Sequence, residues 1–244
     1  MVESVFGGAL GSSDPARHQV GIELEWLTAT AQRDRLDPSR FDEAVRALSP
    51  YPSGSRLTIE PGGQIELSSA PAPSLDEVCR TTSDELYHLD RWCAARDIEL
   101  VALGADPERR PYRVLRKPRY AAMETYFDSM GPAGRTMMCN TASIQLNLGL
   151  GSLEETDDRW RTLNRLGPVL IASFANSPLA SGGPTGWAST RLRTWWTLDP
   201  TRSAPVAVEA LRTRSASQTW LAYALAARVM LIRRGPDDYA PIIA

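Results

Sequence analysis

The stretch TIEPGGQIELSSAP, residues 58–71, sets Glu60 immediately before a Pro61-Gly62-Gly63 turn and Glu66 shortly after it. Glutamate is a poor strand former, yet both arms of this turn otherwise read as strands. Two other segments carry the same kind of polar face. In VGIELEWL (20–27), Glu23 and Glu25 alternate with Ile22, Leu24 and Trp26; in TASIQLNLG (141–149), Ser143, Gln145 and Asn147 alternate with Ile144, Leu146 and Leu148. Residues two apart in a strand share a face, so each segment presents an apolar side to a core and a polar side opposite it. Carboxylates crowded on adjacent strands repel one another unless a cation neutralises them. Carboxylate and amide oxygens are also the hard ligands that Mg2+ takes, usually beside substrate phosphates. Two readings of this face stand side by side: the solvated face that any antiparallel sheet has by default, or an open face that coordinates a Mg-nucleotide.

Opposite charge is available in STRLR, where Arg191 and Arg193 lie two apart, and in KPRY, where Arg119 stands. A guanidinium fork grips carboxylate or phosphate bidentately, although an arginine pair on the surface of an arginine-rich chain has the same spacing. Lys117 is the only lysine, and the phosphate-cradling pattern G-x-x-x-x-G-K-[ST] does not occur. There is no G-x-S-x-G for a serine nucleophile. His18 and His88 are isolated and read as surface residues; Trp187, Trp195 and Trp196 read as core rather than as a ligand platform. The residues themselves lead to an Mg2+-dependent enzyme of the phosphoryl-transfer type.

Strands and helices must position these groups, and they are mixed without strict alternation. PSRFDEAVRALSP (38–50) places Phe41, Val45 and Leu48 on one helical face. Ser74 with Glu77 opens a long helix as a capping box, with Leu75, Val78, Leu86, Leu89 and Cys93 as its buried stripe. IELVALG (98–104) reads as a strand, 105–120 as an exposed loop, and Tyr120 to Met130 as a helix ending at Gly131-Pro132. Ser152 with Glu155 opens another helix, which Pro168 should kink or divide. QTWLAYALAARVMLI (218–232) reads as a buried helix, or a helix plus a strand. Hairpin pairing and the lack of a G-x-G-x-x-G fingerprint favour α+β over a doubly wound layout.

The bulk properties agree with one globular unit. The chain has 244 residues, 43% hydrophobic and 23% charged, with a formal net charge of -2 that gives no reason to expect a nucleic-acid partner. Cys79, Cys93 and Cys139 are odd in number and widely spaced, which fits a reducing cytoplasm better than a disulfide framework or zinc site. The N-terminal segment lacks the features of a signal peptide, and the most apolar run, LGPVLIASFA (166–175), is too short for a bilayer, so no membrane is expected.

GIELEW, RLTIEPGGQIELSSAP, RYAAMETYFDSMGPAGRTMMCNTASIQLNLG and FANSPL…TGWASTRLRTWW resemble, in that order, the glutamate–cysteine ligases. The likeness covers most of residues 20–232 and is to the bacterial branch serving ergothioneine biosynthesis, related to the plant-type enzymes. It implies a glutamine-synthetase-like α+β fold, an antiparallel sheet with one polar active-site face and helices packed on the other. It also implies ATP-dependent ligation of the glutamate γ-carboxylate to the cysteine amine through a γ-glutamyl phosphate, giving γ-glutamylcysteine, with glutamate, cysteine and ATP as substrates. On the same basis Glu23, Glu25, Glu60 and Glu66 are expected to hold Mg2+, and Gln145 and Asn147 to line the nucleotide side. Arg191 would act on the substrate carboxylate or acyl phosphate, with Arg119 and Arg193 as substrate-binding arginines. The alternatives are a related ligase joining glutamate to another amine, or a non-catalytic remnant that binds ATP or glutamate. Two departures accompany the likeness. The plant-type strand commonly ends N-L-D where this chain has Asn147-Leu148-Gly149, and a late strand with an acidic-x-Arg motif has no counterpart after residue 200. Residues 1–244 are therefore expected to form a single catalytic domain incomplete at its C-terminal end, its sheet open to completion by a partner chain.

Overall fold

The computed structural model describes residues 15–243 apart from 31, 37–39, 41–42, 44–46 and 49–50. The expected helix over 38–50 lies largely outside the described residues. A 3-10 turn at Pro15–His18 leads into β1 (Val20–Thr30), followed by the hairpin β2 (Arg56–Ile59) and β3 (Ile65–Ser68). Helix α1 (Leu75–Ala94) and β4 (Ile98–Val101) come next, then α2 (Pro118–Asp128), α3 (Ala133–Asn140) and β5 (Ile144–Leu148). The long helix α4 (Leu153–Phe174) is followed by a small ribbon, β6 (Leu179–Ala180) and β7 (Gly183–Pro184). Helices α5 (Thr190–Leu198), α6 (Pro200–Ser203), α7 (Val208–Thr213) and α8 (Ala216–Ala226) precede a final ribbon, β8 (Leu231–Arg233) and β9 (Tyr239–Pro241).

Every strand pair is antiparallel, as the hairpin signals predict. The long β1 is the spine of the main sheet. Its Glu23–Trp26 stretch pairs with β3, Val20–Leu24 with β5, and Leu27–Thr30 with β4, while β2 extends the sheet beyond β3. Because β3 and β5 both pair with Glu23 and Leu24, they lie on opposite edges of β1. The core forms on one side of this sheet. Trp26, Leu57, Ile65 and Leu67 meet Leu89, Trp92 and Cys93 of α1, with Leu24 packed alongside. The sequence places Leu75 in the same stripe, but it is exposed because it sits in the first turn of α1. A second cluster joins Tyr126 and Phe127 of α2 to Met138 and Cys139 of α3 and Leu198 of α5.

Local rules account for the helix ends. The Ser74 hydroxyl accepts from the Glu77 N–H at 3.2 Å, and Ser152 and Glu155 form the full reciprocal box. Helix α4 runs through Pro168 without a break. Pro168 is exposed, so water can take the carbonyl that its missing N–H releases. Two burial expectations fail for a common reason. Ile144 is 80% exposed, with Leu146 and Leu148 also open, and Leu225, Val229 and Ile232 of the 218–232 segment are exposed as well. Alternation identifies an apolar face; it does not provide the element that covers it. Likewise Trp187, Trp195 and Trp196 are largely exposed rather than core. His18 and His88 are at the surface, as expected. All three cysteines are free, and no helix among the described residues is long and apolar enough to cross a membrane.

Candidate active site

The pairing register puts the polar side chains on one face. Glu25 stands directly opposite Glu66, Glu66 opposite Thr58, and Glu23 opposite Gln145. Directly opposed residues of antiparallel strands share a face with Cβ atoms about 5 Å apart, and like charges there are destabilising. Among the described residues, none of Glu23, Glu25, Glu60 and Glu66 has a basic partner within ion-pairing distance. What they have instead is a set of neutral donors. Asn147 Nδ2 donates to Glu23 at 2.9 Å. Gln145 Nε2 and the Ser143 hydroxyl donate to the two oxygens of Glu25 at 3.3 and 3.2 Å. The Thr58 and Ser68 hydroxyls both donate to Oε1 of Glu66, at 3.1 and 2.7 Å. Thr58 and Ser68 were not singled out in the sequence, yet the strand period marks both: each lies two residues from a site glutamate.

The turn carrying Glu60 is fixed from several sides. The Glu60 N–H donates to the Gln64 carbonyl, and the Gly63 N–H donates to the Glu60 carbonyl, each at 2.9 Å. Val114 N–H donates to the Pro61 carbonyl, Arg35 Nη1 to that of Gly62, and the Thr28 hydroxyl to that of Gly63, at 2.8, 2.9 and 2.8 Å. A Cβ at Gly62 would overlap the backbone of Cys139, and Gly63 adopts a φ of 92°, which favours glycine. Gln64 ties the far side of the turn to the end of α3 through Nε2, which donates to the Thr141 carbonyl at 2.8 Å. Gln64 acts through backbone carbonyls, and Arg35 through backbone carbonyls and the Asn140 Oδ1 at 2.6 Å, long-range contacts that leave no spacing signature in a sequence.

Electrostatics follow from this crowding. Burial first, then Glu66 and Glu25, push the Glu60 carboxyl up to about 7. Burial also raises Glu25; the Ser143 hydroxyl opposes that rise, and Glu66 reinforces it. Positive groups approach from two sides. Arg119 and Lys117 of the α2 N-terminal region act on Glu60, and both cations lie over the Tyr120 ring, at 5.6 and 5.8 Å. Arg191 acts on Glu25 from the first turn of α5; burial lowers the pKa of its guanidinium, and its buried Nε has no hydrogen-bond partner among the described residues. Ser189 caps α5 by accepting from the Leu192 N–H at 3.1 Å, and the Ser177 hydroxyl accepts from the Arg191 N–H at 3.2 Å. Arg193 is separated from this group. Residues two apart on a helix do not share a face, and the Arg193 guanidinium lies over the Trp187 ring at 5.7 Å.

The residues expected from sequence thus fall into a central group and a periphery. Glu25, Glu60 and Glu66 interact directly, Glu23 lies two residues along β1 from Glu25, and Gln145 and Asn147 brace the β1 carboxylates. Among the described residues, no three His, Cys, Asp or Glu side chains form a ready-made metal cage. Mg2+ does not need one, since it keeps several waters and takes one or two carboxylates with substrate phosphates. Opposed carboxylates without cationic partners fit that mode of binding. The strand-end Gly149 also has a local cause: a Cβ there would overlap the Arg17 carbonyl, so no aspartate side chain fits in this backbone arrangement.

Comparison with known proteins gives the chain a family. The profile of the Glutamate-cysteine ligase family 2 matches residues 19–240. "Glutamate--cysteine ligase EgtA" of Mycolicibacterium smegmatis is 39% identical over 236 residues, covering 94% of this chain and 55% of that protein. Its namesake in Mycobacterium tuberculosis is 37% identical, covering 91% of this chain and 54% of that protein. The chloroplastic glutamate–cysteine ligase of Medicago truncatula is 32% identical over 81% of this chain and 39% of its own length. The chain spans about half the length of the bacterial relatives it matches. With its family profile matched nearly end to end and its carboxylates gathered on one sheet face, the chain belongs to the glutamate–cysteine ligase family 2.

Proposed function

We propose that this chain carries the metal and substrate face of a glutamate–cysteine ligase: ATP-dependent ligation of the glutamate γ-carboxylate to the cysteine amine through a γ-glutamyl phosphate, giving γ-glutamylcysteine. The observation that carries this reading is the opposed pair Glu25 and Glu66 with Glu60 beside them, none of the three in an ion pair among the described residues, in a chain of this family. Glu23, Glu25, Glu60 and Glu66 would hold Mg2+, which when bound to ATP offsets charge on the phosphoryl oxygens. Gln145 and Asn147 keep the β1 carboxylates turned to that face and line its nucleotide side. Arg191, with an unused buried donor aimed from a capped helix end, grips the substrate carboxylate or the acyl phosphate formed from it. Arg119 and Lys117 steer anionic groups toward Glu60. The antiparallel sheet, polar on one face and covered by α1 on the other, supports a glutamine-synthetase-like arrangement. The relatives named EgtA and the free cysteines support a cytoplasmic role in ergothioneine biosynthesis.

Incubation with ATP, Mg2+ and glutamate, with and without cysteine, tests the reading. ADP release that depends on cysteine, with γ-glutamylcysteine identified by mass spectrometry, is expected. Release that depends equally on a different amine would make the chain a related carboxylate–amine ligase. A second reading rests on the half-length span of the relatives: a non-catalytic remnant would bind Mg-ATP or glutamate and turn over neither.

A further inference from the structure

A closed ring of hydrogen bonds surrounds the Gly62-Gly63 turn. Arg35 Nη1 donates to the Gly62 carbonyl at 2.9 Å, and Arg35 Nη2 to the Asn140 Oδ1 at 2.6 Å. Asn140 Nδ2 donates to the Arg109 carbonyl at 2.5 Å, and Arg109 Nη1 to the Thr28 carbonyl at 2.8 Å. The Thr28 hydroxyl returns to the turn at the Gly63 carbonyl, also at 2.8 Å. Asn140 is 3% exposed, so both ends of its amide are committed to these partners rather than to water. Asp106 keeps Arg109 in place: its carboxylate accepts from Arg109 Nε at 2.5 Å and from the Arg109 N–H at 2.9 Å.

The same residues close the end of α3. The last four carbonyls of a helix have no partner within it. Those of α3 accept from the Thr141 hydroxyl at Met137, from Gln64 Nε2 at Met138, from Arg35 Nη1 at Cys139 and from the Asp106 N–H at Asn140. Arg35 Nη2 also donates to the Arg110 carbonyl at 3.0 Å. The guanidinium thus sits at the negative end of the α3 dipole and spans three chain segments. Its four acceptors are neutral, and burial, then the nearby Arg109 guanidinium, disfavours its charge. Charge-assisted hydrogen bonds, about twice as strong as neutral ones, offset that cost.

We propose that Arg35 is a positioning residue of the ligase site, acting on Glu60 through the Gly62 carbonyl by locking the turn to the end of α3. For the role of Glu60 the proposal rests on the ligase reading above; for the lock it rests on the ring alone. The chain passes from Asn140 directly into β5, so the same lock sets the Glu60 turn against Gln145, which donates to Glu25. Lysine cannot substitute, because a single nitrogen on a flexible stem cannot reach acceptors in all three segments at once.

Arg35→Lys, followed by amide hydrogen exchange and by calorimetry with Mg-ATP, tests this. The Glu60 and Gly63 amides, which close the turn, should exchange about tenfold faster, while those of Leu89 and Cys93 in the core of α1 keep their rates. Mg-ATP affinity should weaken about fivefold in the same variant. On a Glu60→Gln background the added substitution should change that affinity by less than about twofold, because the effect of Arg35 passes through Glu60. A merely structural arginine would give equal losses on both backgrounds. Such additivity overturns the proposal, and so does unchanged exchange at Glu60 and Gly63. Arg33→Lys, at an exposed position two residues away, should leave exchange and affinity as they are. Asn140→Ala opens the same ring at another bond and carries the same expectations should Arg35→Lys not fold. If Glu60→Gln by itself leaves Mg-ATP affinity unchanged, the metal face of the proposed function fails, and the exchange rates at Glu60 and Gly63 alone decide the lock.

Discussion

Gly62 and Cys139 approach so closely that a single methyl group cannot be placed between them. The turn that presents Glu60 lies against the last turn of α3, and a Cβ on Gly62 would meet the Cys139 carbonyl oxygen and Cα. The contact is backbone on backbone, so neither partner can rotate away. The hairpin is therefore seated by shape as well as by its hydrogen bonds to Arg35, Thr28 and Val114.

Gly62→Ala should destabilise the fold by about 1–3 kcal/mol, the usual range for overpacking a site that cannot relax. Chemical denaturation is expected to show a lower midpoint with an unchanged slope. Mg-ATP affinity should fall as well, because the turn can accommodate the methyl only by moving Glu60. A midpoint equal to that of the unaltered chain would mean that the turn is not seated as described.

The raised pKa of Glu60 gives a pH dependence with a definite sign. Its carboxyl titrates at about 7 in the folded chain against an ordinary value of 4.5, so the folded state binds the proton more tightly than the unfolded state does. This contribution is fully present below the ordinary value and is lost as pH rises through about 7. Burial raises Glu25 in the same direction. With metal chelated, the melting temperature should fall between pH 5 and pH 8, and Glu60→Gln should flatten that slope while lowering Mg-ATP affinity and turnover. A Gln variant with the original slope, or with unchanged Mg-ATP affinity, contradicts the metal-face assignment.

The cysteines separate by environment. Cys79 is exposed on α1, whereas burial pushes the thiols of Cys93 and Cys139 up to about 12 and about 11. Thiolate is the reactive form, so near neutral pH a thiol-specific reagent should modify Cys79 rapidly and the other two only on denaturation. Peptide mapping of the labelled protein reads this out. Fast labelling of Cys139 would show that the contact between α3 and the Glu60 turn opens readily.

Much of the site was legible because strand alternation has a strict period. Glu23 and Glu25, Gln145 and Asn147, and Glu60 and Glu66 around their turn are all assigned to a face by that period alone. The Ser152 box and the N-cap at Ser74 were legible for a similar reason, since a cap is a local bond with fixed spacing. What was illegible acts at long range or through the backbone. Arg35 reaches backbone carbonyls of Gly62, Cys139 and Arg110, which any residue type could provide, and the side chain of Asn140, 105 residues away. The short α3 carries Met137, Met138 and Cys139 without a strong cap, so nothing local announced it. The exposure of Ile144 is not legible in its strand, because burial depends on what lies across from a face.

The two arginines of STRLR provide the sharpest test of how a helix changes a sequence reading. Their spacing of two would place them together in a strand, but α5 turns them apart. Arg191 is half-buried, acts on Glu25 and has an unused Nε, while Arg193 is exposed over Trp187. Arg191→Lys keeps the charge and loses the planar fork, so glutamate-dependent ATP turnover should fall a hundredfold or more, about 2.7 kcal/mol in transition-state stabilisation. Glutamate affinity by calorimetry should weaken in the same variant, which gives a readout independent of turnover. Arg193→Lys should change either quantity by less than threefold, because its partner is an indole at the surface. Equal losses in the two variants would place both guanidiniums at the substrate and overturn the division of roles along α5. A loss confined to Arg193→Lys would move the anion site to the Trp187 side of the helix.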